Sequence, residues 1–341
     1  MHRSELTVDL GALRRNVATL LRALEGAELW AVVKANAYGH GADDVAGAAL
    51  GAGARALCVA TVPEALALRR GYPDTRIVVM GPAGNLEIAQ AREARLELVI
   101  ADGEVPDGVA CHLKLDTGMG RYGLAELPGP PAEVVGLMTH LATADTDPAF
   151  AERQLARFCD ATAPYPHLTR HAANSAAALR LPRSRFDAAR CGIALYGLSP
   201  FGGDPGDDGL EPVLRWHSHL AQVKRLEPGQ STGYGRRFVA EVPTWIGIVP
   251  VGYADGFRRD LTGTQVRVAG EPRRVVGTIS MDSFAVELDR ALPVGSPVVL
   301  LGHRVLAEDH ARVADTINYE LVCGIGAGST VDRARRTVVD A

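Results

Sequence analysis

Along the first two thirds of the chain, short apolar runs recur, each followed by a stretch with apolar residues at helical spacing. The runs fall at Leu29 to Lys34, Ala56 to Thr61, Arg76 to Gly81, Leu96 to Ala101, Val109 to Asp116, Val134 to His140, Leu168 to Ser175 and Phe186 to Gly197. Unbroken apolar runs of this length suit strands buried on both faces, as in parallel sheets. Eight alternating β and α units over about two hundred residues predict a closed (β/α)8 barrel of TIM type, with its chemistry at the C-terminal ends of the strands. A doubly wound open sheet is the competing arrangement, but no glycine fingerprint for phosphate follows the first strand. Two connections, Asp102 to Gly108 and the proline-rich Gly123 to Pro131, are too short for a crossover with its helix, so the barrel is expected to have reduced helices around its fourth to sixth strands. Within the fifth strand, period two turns Lys114 inward and Leu113 and Leu115 outward. Those two leucines then need cover from the Gly123 to Pro131 segment folding back, or from another subunit.

Around Ser199 to Gly209 the pattern breaks into Pro, Gly and Asp, and from Trp216 onward apolar and polar positions alternate with period two. Val266-Arg267-Val268, a turn at Gly270-Glu271-Pro272, and Phe284 to Leu288 read as an antiparallel sheet with one wet face. The expected division is a barrel over residues 7–212 and a mainly antiparallel β-domain over 213–341, to which residues 1–6 can add.

Composition narrows the class. The chain has 341 residues, 47% hydrophobic and 22% charged, with a formal net charge of -4, which describes a globular protein with ample material for a core. No basic stretch points to nucleic acid, no long apolar run points to a membrane, and the N-terminus lacks the apolar region of a signal peptide, so a cytoplasmic location is expected. Cys58, Cys111, Cys159, Cys191 and Cys323 are scattered without Cys-x-x-Cys spacing and imply neither a disulfide framework nor a zinc site.

One residue breaks the apolar rule. Lys34 ends the first run, where Ala31-Val32-Val33-Lys34 gives way to Ala35-Asn36-Ala37-Tyr38-Gly39-His40, and an amine at the end of a buried strand needs a partner or a covalent adduct. A lysine that merely reaches out to solvent is the plain alternative. A Schiff base to an aldehyde cofactor is the chemical one. Arg121, His140, Ser175 and Arg190 also fall at or just past predicted strand ends, so the ring would close on a single site.

Seven blocks in order carry a resemblance: Ala31 to Gly41, Lys114-Leu115-Asp116-Thr117-Gly118-Met119-Gly120-Arg121, Thr139 to Asp145, His171-Ala172-Ala173-Asn174-Ser175-Ala176, Arg190 to Gly197, Gly252-Tyr253-Ala254-Asp255-Gly256 and Ser280-Met281-Asp282. With them the chain resembles, nearly end to end, the fold-type III pyridoxal-phosphate-dependent alanine racemases, which pair a barrel with a β-domain in a head-to-tail homodimer. The resemblance implies interconversion of L- and D-alanine by two bases, with pyridoxal 5'-phosphate held covalently on Lys34. Lys34 would serve one face of the cofactor and Tyr253 of the partner subunit the other. It implies that Arg190 faces the pyridine nitrogen, that His171 orients Arg190, and that His140 lies beside the ring. Tyr38, Ser175 and the N–H groups of Gly192 and Ile193 would hold the cofactor's phosphate, and Asn174 would also belong to the cofactor-binding set. Arg121 and the backbone of Met281 would meet the substrate carboxylate, with Lys114 and Asp282 in support, Lys114 matching a lysine carbamylated in some relatives. An arginine at the ring nitrogen, rather than a carboxylate, disfavours a decarboxylase of the same fold type. Tyr253 and Met281-Asp282 tell against a single-barrel cofactor carrier.

Two departures from the family's pattern stand out. Ala327 falls where relatives frequently place a phosphate-binding tyrosine, and Thr278 where an arginine is expected at the entrance. They keep open a broader or shifted substrate range, serine or lysine included, and a weakly active cofactor-binding homologue acting as a binding or resistance protein.

Overall fold

The computed structural model describes residues 2–101, 104–325 and 333–340. Ala327 lies outside the described residues. The described chain divides into two compact units, one formed by Leu13–Phe201 with Asp208–Leu210, the other by the segment ending at Ala12, Gly202–Asp207 and the chain from Glu211 onward.

The first unit is a closed eight-stranded parallel barrel. Strand β1 (Glu5–Asp9) belongs to the other unit, and the barrel runs β2 (Glu28–Val32), β3 (Ala56–Val59), β4 (Arg76–Val79), β5 (Glu97–Ile100), β6 (Cys111–Lys114), β7 (Val134–Met138), β8 (Thr169–His171) and β9 (Ala188–Cys191). Seven of the eight apolar runs of the sequence contain one of these strands whole, and β2 begins one residue before its run, at Glu28. The runs overshoot because the residues past each strand end, such as Val33 and Thr139, remain buried though they have left the ladder. Closure sets Trp30 of β2 opposite Arg190 of β9, and β8 sets His171 opposite Met138.

Helices α1 (Leu10–Leu24), α2 (Lys34–Tyr38), α3 (Ala42–Gly51), α4 (Val62–Arg69), α5 (Asn85–Glu93), α6 (Pro148–Thr162) and α7 (Ser175–Arg180) fill most connections. Among the described residues the two short ones hold none: no helix lies between Ile100 and Cys111, nor between Lys114 and Val134. After β6 the chain turns back, so that Leu124 N–H donates to Lys114 O at 2.7 Å and Asp116 N–H donates to Leu124 O at 2.9 Å. Leu113 and Leu115 are 1% and 2% exposed within the single chain. The chain therefore buries this wall itself, and no second subunit is needed to cover it.

The second unit holds β10 (Leu214–His219), β11 (Gln222–Leu226), the short pair β12 (Ser231–Thr232) and β13 (Phe238–Val239), then β14 (Thr244–Val249), β15 (Gln265–Val268), β16 (Glu271–Val276), β17 (Phe284–Leu288), β18 (Pro297–Leu301) and β19 (Arg335–Val339). Nine strands form one curled sheet in the order β11-β14-β17-β16-β15-β18-β10-β1-β19. All its pairs are antiparallel except β1 with β19. The β15–β16 hairpin turns on Ala269-Gly270, at φ +50° and +89°, one residue earlier than the expected Gly270-Glu271-Pro272. Both central positions need positive φ in such a two-residue turn, which leaves Glu271 and Pro272 in the strand.

Candidate functional site

Lys34 opens α2, and α2 is not an ordinary helix. Ala35, Asn36, Ala37 and Tyr38 all have φ between +51° and +54°, so the backbone makes a left-handed turn on non-glycine residues. This conformation costs roughly 1–2 kcal/mol per residue for L-amino acids and persists only where surroundings over-determine it. Here they do. Ala35 N–H donates to Glu64 Oε1 at 2.7 Å, Ala42 N–H to Asn36 Oδ1 at 2.9 Å, and the buried His40 places Nδ1 3.0 Å from Tyr38 O. Glu64 is itself fixed by a capping box with Thr61 at the start of α4. The turn thus presents Lys34 at the C-terminal mouth of the barrel and swings Tyr38 toward β9.

Tyr38 meets the residues after β8 and β9. A Cβ placed on Gly192 would lie 2.4 Å from the Tyr38 hydroxyl, so only glycine admits this approach. Ser175 Oγ accepts from Gly192 N–H at 3.1 Å and from Ala194 N–H at 3.3 Å. Gly192 N–H, expected to face an anion, is bonded to Ser175 instead. The hydroxyl, having accepted twice, keeps its own hydrogen to donate. Asn174 caps α7, its Oδ1 accepting from Ala177 N–H at 3.0 Å, and so sets Ser175 as the first residue of that helix. Ile193 opens a helical turn, Ile193–Tyr196, whose first N–H groups have no partner within the turn.

Arg190 is buried at the centre of this arrangement, 3% exposed. Its Nη1 donates to His171 Nδ1 at 2.7 Å and His171 O at 2.8 Å, and its Nη2 to Thr139 O at 2.9 Å and to His140 Nδ1 at 3.3 Å. Burial pushes the guanidinium down to about 10, which still leaves it a cation at neutral pH. Burial first, then the charges of Arg190, Lys114, Arg121 and Lys34, push His140 down to about 3. Burial and Arg190 hold His171 well below the ordinary range too. Both imidazoles are neutral, and each gives Arg190 a ring nitrogen to donate to.

Lys114 is buried, and its amine is pushed down to about 8 by burial and the charges of Arg121, Arg190 and Lys34. Asp116 shapes the loop that follows: its Oδ1 accepts from the N–H groups of Gly118, Met119 and Gly120 at 2.9, 2.8 and 3.1 Å. Arg121 leaves that loop exposed. Gln154 of α6 braces the other side, donating to Thr117 Oγ1 and His140 O at 3.2 Å each. Glu64 and Gln154 are missing from the sequence reading. The Thr61-x-x-Glu64 capping box was a visible signal for Glu64; for Gln154, mid-helix on α6, there was none.

In the second unit, Tyr253 and Met281 are brought side by side. Tyr253 N–H donates to Ser280 O and Ala254 N–H to Met281 O, both at 3.1 Å. Asp255, 3% exposed, holds this turn by accepting from Gly252 N–H, Arg3 and Arg333, each at 2.8 Å, while Arg333 also pairs with Asp282. Tyr253 and Met281 are 43% and 52% exposed. Thr278 is buried, its hydroxyl donating to Tyr234 O at 2.7 Å.

Comparison with known proteins gives the chain its family. The family model for the alanine racemase N-terminal domain matches residues 8–200, and that for the C-terminal domain matches residues 213–334. The chain belongs to the alanine racemase family. It is 40% identical to an alanine racemase of Geobacillus kaustophilus, over 94% of this chain and 91% of that one, and 40% identical to alanine racemase 1 of Bacillus subtilis, over 94% and 90%. Its fold is similar to the alanine racemase of Streptomyces coelicolor A3(2), with a TM-score of 0.90 at 38% identity over 99% of this chain and 98% of that one. It is also similar to the alanine racemase of Bartonella henselae, solved with covalently bound pyridoxal phosphate, with a TM-score of 0.87 at 27% identity over 98% and 99%.

The residues present in this racemase-family chain fit that cofactor. Tyr38, Ser175 and the N-termini of two helical turns supply neutral donors suited to a phosphate, and Gly192 leaves the room that the Tyr38 hydroxyl needs to reach them. Lys34 supplies the amine for an aldehyde.

Proposed function

We propose that this chain is a pyridoxal-phosphate-dependent alanine racemase, interconverting L- and D-alanine with Lys34 and Tyr253 as its two bases. The observation that carries the reading is the left-handed turn, which sets Lys34 and Tyr38 on one barrel mouth with the Ser175–Gly192 cradle and the buried cation of Arg190. When bound there, the cofactor withdraws electrons from the substrate Cα and so makes its proton removable.

Lys34 would hold the cofactor covalently and, as a free amine, would take or return the Cα proton on one face. Tyr253 does the same on the opposite face, delivered from a second copy of the chain in a head-to-tail homodimer. Support for that arrangement is the exposure of Tyr253 and Met281 as neighbours on a turn that Asp255 holds rigidly. An unperturbed tyrosine titrates near pH 10, so Tyr253 needs nearby cations when it acts as a base. Arg121 and Lys114 lie at the barrel mouth to provide them, and Arg121 and the Met281 backbone engage the substrate carboxylate. Arg190 donates toward the ring nitrogen and, as a guanidinium, keeps its proton. His140 stays neutral beside the ring. A cytoplasmic location suits an enzyme acting on free amino acids.

The test is a chiral product assay of the purified holoenzyme with L-alanine, L-serine and L-lysine. D-alanine formed from L-alanine in preference to the other two products is the expected result. Retention of the cofactor with no enantiomer exchanged on any of the three would overturn the reading in favour of a binding protein, and faster turnover of serine or lysine would reassign the substrate.

A further inference from the structure

Behind Arg190 the barrel interior holds a file of titratable side chains that the proposed reaction does not use. Arg190 Nη1 lies 2.7 Å from His171 Nδ1, His171 Nε2 lies 3.0 Å from His112 Nδ1, and His112 Nε2 lies 2.7 Å from Glu97 Oε2. Glu97 Oε1 then accepts from Arg76 Nε at 3.0 Å. The file runs from β9 through β8 and β6 to Glu97, the first residue of β5 and thus at the opposite end of the barrel from Lys34. His112 and His171 are 1% and 0% exposed. The fully buried Trp30 walls them in, its ring centroid 4.6 Å from that of His171 and 5.7 Å from that of His112.

Donor chemistry fixes every proton along this file. A guanidinium has no acceptor, so His171 Nδ1 must be bare to receive Arg190. A neutral imidazole with a bare Nδ1 carries its hydrogen on Nε2, so His112 Nδ1 must be bare in turn. His112 then carries its hydrogen on Nε2 and gives it to the Glu97 carboxylate. A doubly protonated His112 would push its Nδ1 hydrogen at His171 Nε2, and His171 would then have to meet the Arg190 donor with a donor of its own. Only one pattern satisfies all three contacts. Its two ends are a cation and an anion joined by two neutral rings that donate in the same direction.

The barrel also reserves room for the file. A Cβ on Gly136 of β7 would lie 2.1 Å from His112 Nδ1 and 2.7 Å from its Cε1, so the His112 ring occupies space that any side chain at 136 would take. Among the described residues no carboxylate contacts Arg190 directly, so the nearest compensating anion along its hydrogen bonds is Glu97. Burial works to raise the Glu97 carboxyl, but its interactions with His112, and after them those with Arg76, outweigh it and leave it below the ordinary value.

We propose that Glu97 and His112 are positioning residues for Arg190: Arg190 requires a bare His171 Nδ1 from one end of the file, the Glu97 carboxylate holds the Nε2–H form of His112 from the other, and without that acceptor the buried His112 Nε2–H would be unsatisfied, so that the rings would exchange tautomers and Arg190 would lose its fixed orientation at the cofactor's ring. The role assigned to Arg190 rests on the racemase reading above; the tautomer selection does not. Glu97→Leu removes the acceptor, whereas Glu97→Gln keeps an oxygen that can accept from His112.

The experiment is ¹⁵N NMR of histidine-labelled protein without cofactor, paired with steady-state kinetics and the absorbance spectrum of the holoenzyme. In the parent protein, His112 and His171 are expected to show protonated, hydrogen-bonded Nε2 and bare Nδ1. Glu97→Leu should mix the tautomers of both rings, lower kcat for alanine by about tenfold with KM changed much less, and shift the cofactor's absorbance, while Glu97→Gln restores all three. Unaltered His171 signals and absorbance in Glu97→Leu would overturn the proposal. So would a Glu97→Gln protein that behaves like Glu97→Leu. Should Glu97→Leu not fold, His112→Phe keeps a ring in the same space and removes both nitrogens; its His171 must then lose the single Nε2–H form and its kcat must fall, and retention of both would equally overturn the proposal. The tautomers are read without cofactor or substrate, so a failure of the racemase reading would leave that part of the result standing.

Discussion

In the proposed reaction Lys34 and Tyr253 make different contributions, and their substitutions should separate them. Lys34→Ala removes the covalent hold and one base together, so cofactor absorbance characteristic of a lysine link and racemisation in both directions are both expected to vanish. Tyr253→Phe keeps the link; racemisation should fall by about 10² to 10⁴, the usual worth of one positioned acid or base. Wild-type turnover in Tyr253→Phe would reject the two-base assignment. Lys114 offers a pH test. Its amine sits near 8 in the folded chain, against about 10.4 when unfolded, so between these values the unfolded state binds more protons and stability rises with pH. Below pH 8 both states are charged and the folded state carries the full cost of burying the cation. Relative to Lys114→Met, the parent protein should gain thermal stability as pH climbs from about 8 to about 10.4. A constant difference in Tm across that window would show that Lys114 is not held neutral by its surroundings.

At the scale of elements, what could be read in advance depended on whether a signal was local. Strand β2 was legible because Trp30 to Val33 is apolar and Lys34 breaks the rule. The two crossovers that hold no helix among the described residues were legible because they are too short for one, and the burial of Leu113 and Leu115 bears out the need for cover. Leu113→Asp should therefore destabilise the fold by more than about 2 kcal/mol, since it buries an unpaired charge within the chain; a denaturation midpoint equal to that of the parent would contradict this. The left-handed turn was not legible. A turn is expected there, but Ala35-Asn36-Ala37-Tyr38 contains no glycine to mark positive φ, and besides the local bonds of Asn36 and His40 one restraint, Glu64, comes from another element. Nor was the Glu97–His112 file, although His112 is the period-two neighbour of the inward Lys114, because its partners come from three other strands. The strain in the turn can be weighed at Ala35, which is exposed, so that packing does not intrude. Ala35→Val sets a β-branched residue at φ +52° and should cost about 1–2 kcal/mol and weaken cofactor retention, whereas Ala35→Gly should keep stability within about 1 kcal/mol. Equal melting of the two variants would mean that the turn relaxes without cost.

For the whole molecule, the question is where a complete set of groups assembles. Lys34, Tyr38, Ser175 and Arg190 belong to the barrel unit, Tyr253 and Met281 to the other, and the proposed enzyme joins the barrel of one copy to the Tyr253 turn of another. The two copies would then share two sites, each drawing one base from either chain. In a mixture of Lys34→Ala and Tyr253→Phe subunits, each heterodimer would contain one site lacking both bases and one with both intact. Subunits that are separately inactive should thus regain activity on mixing, approaching a quarter of the parent's specific activity if exchange is free and pairing random, because about half the dimers would be mixed and each would carry one working site of two. Exchange is checked by mass spectrometry of differently tagged subunits. Heterodimers that form but stay inactive would place Tyr253 with Lys34 of its own chain, and the shared-site arrangement would fall while the chemistry of the two residues stood.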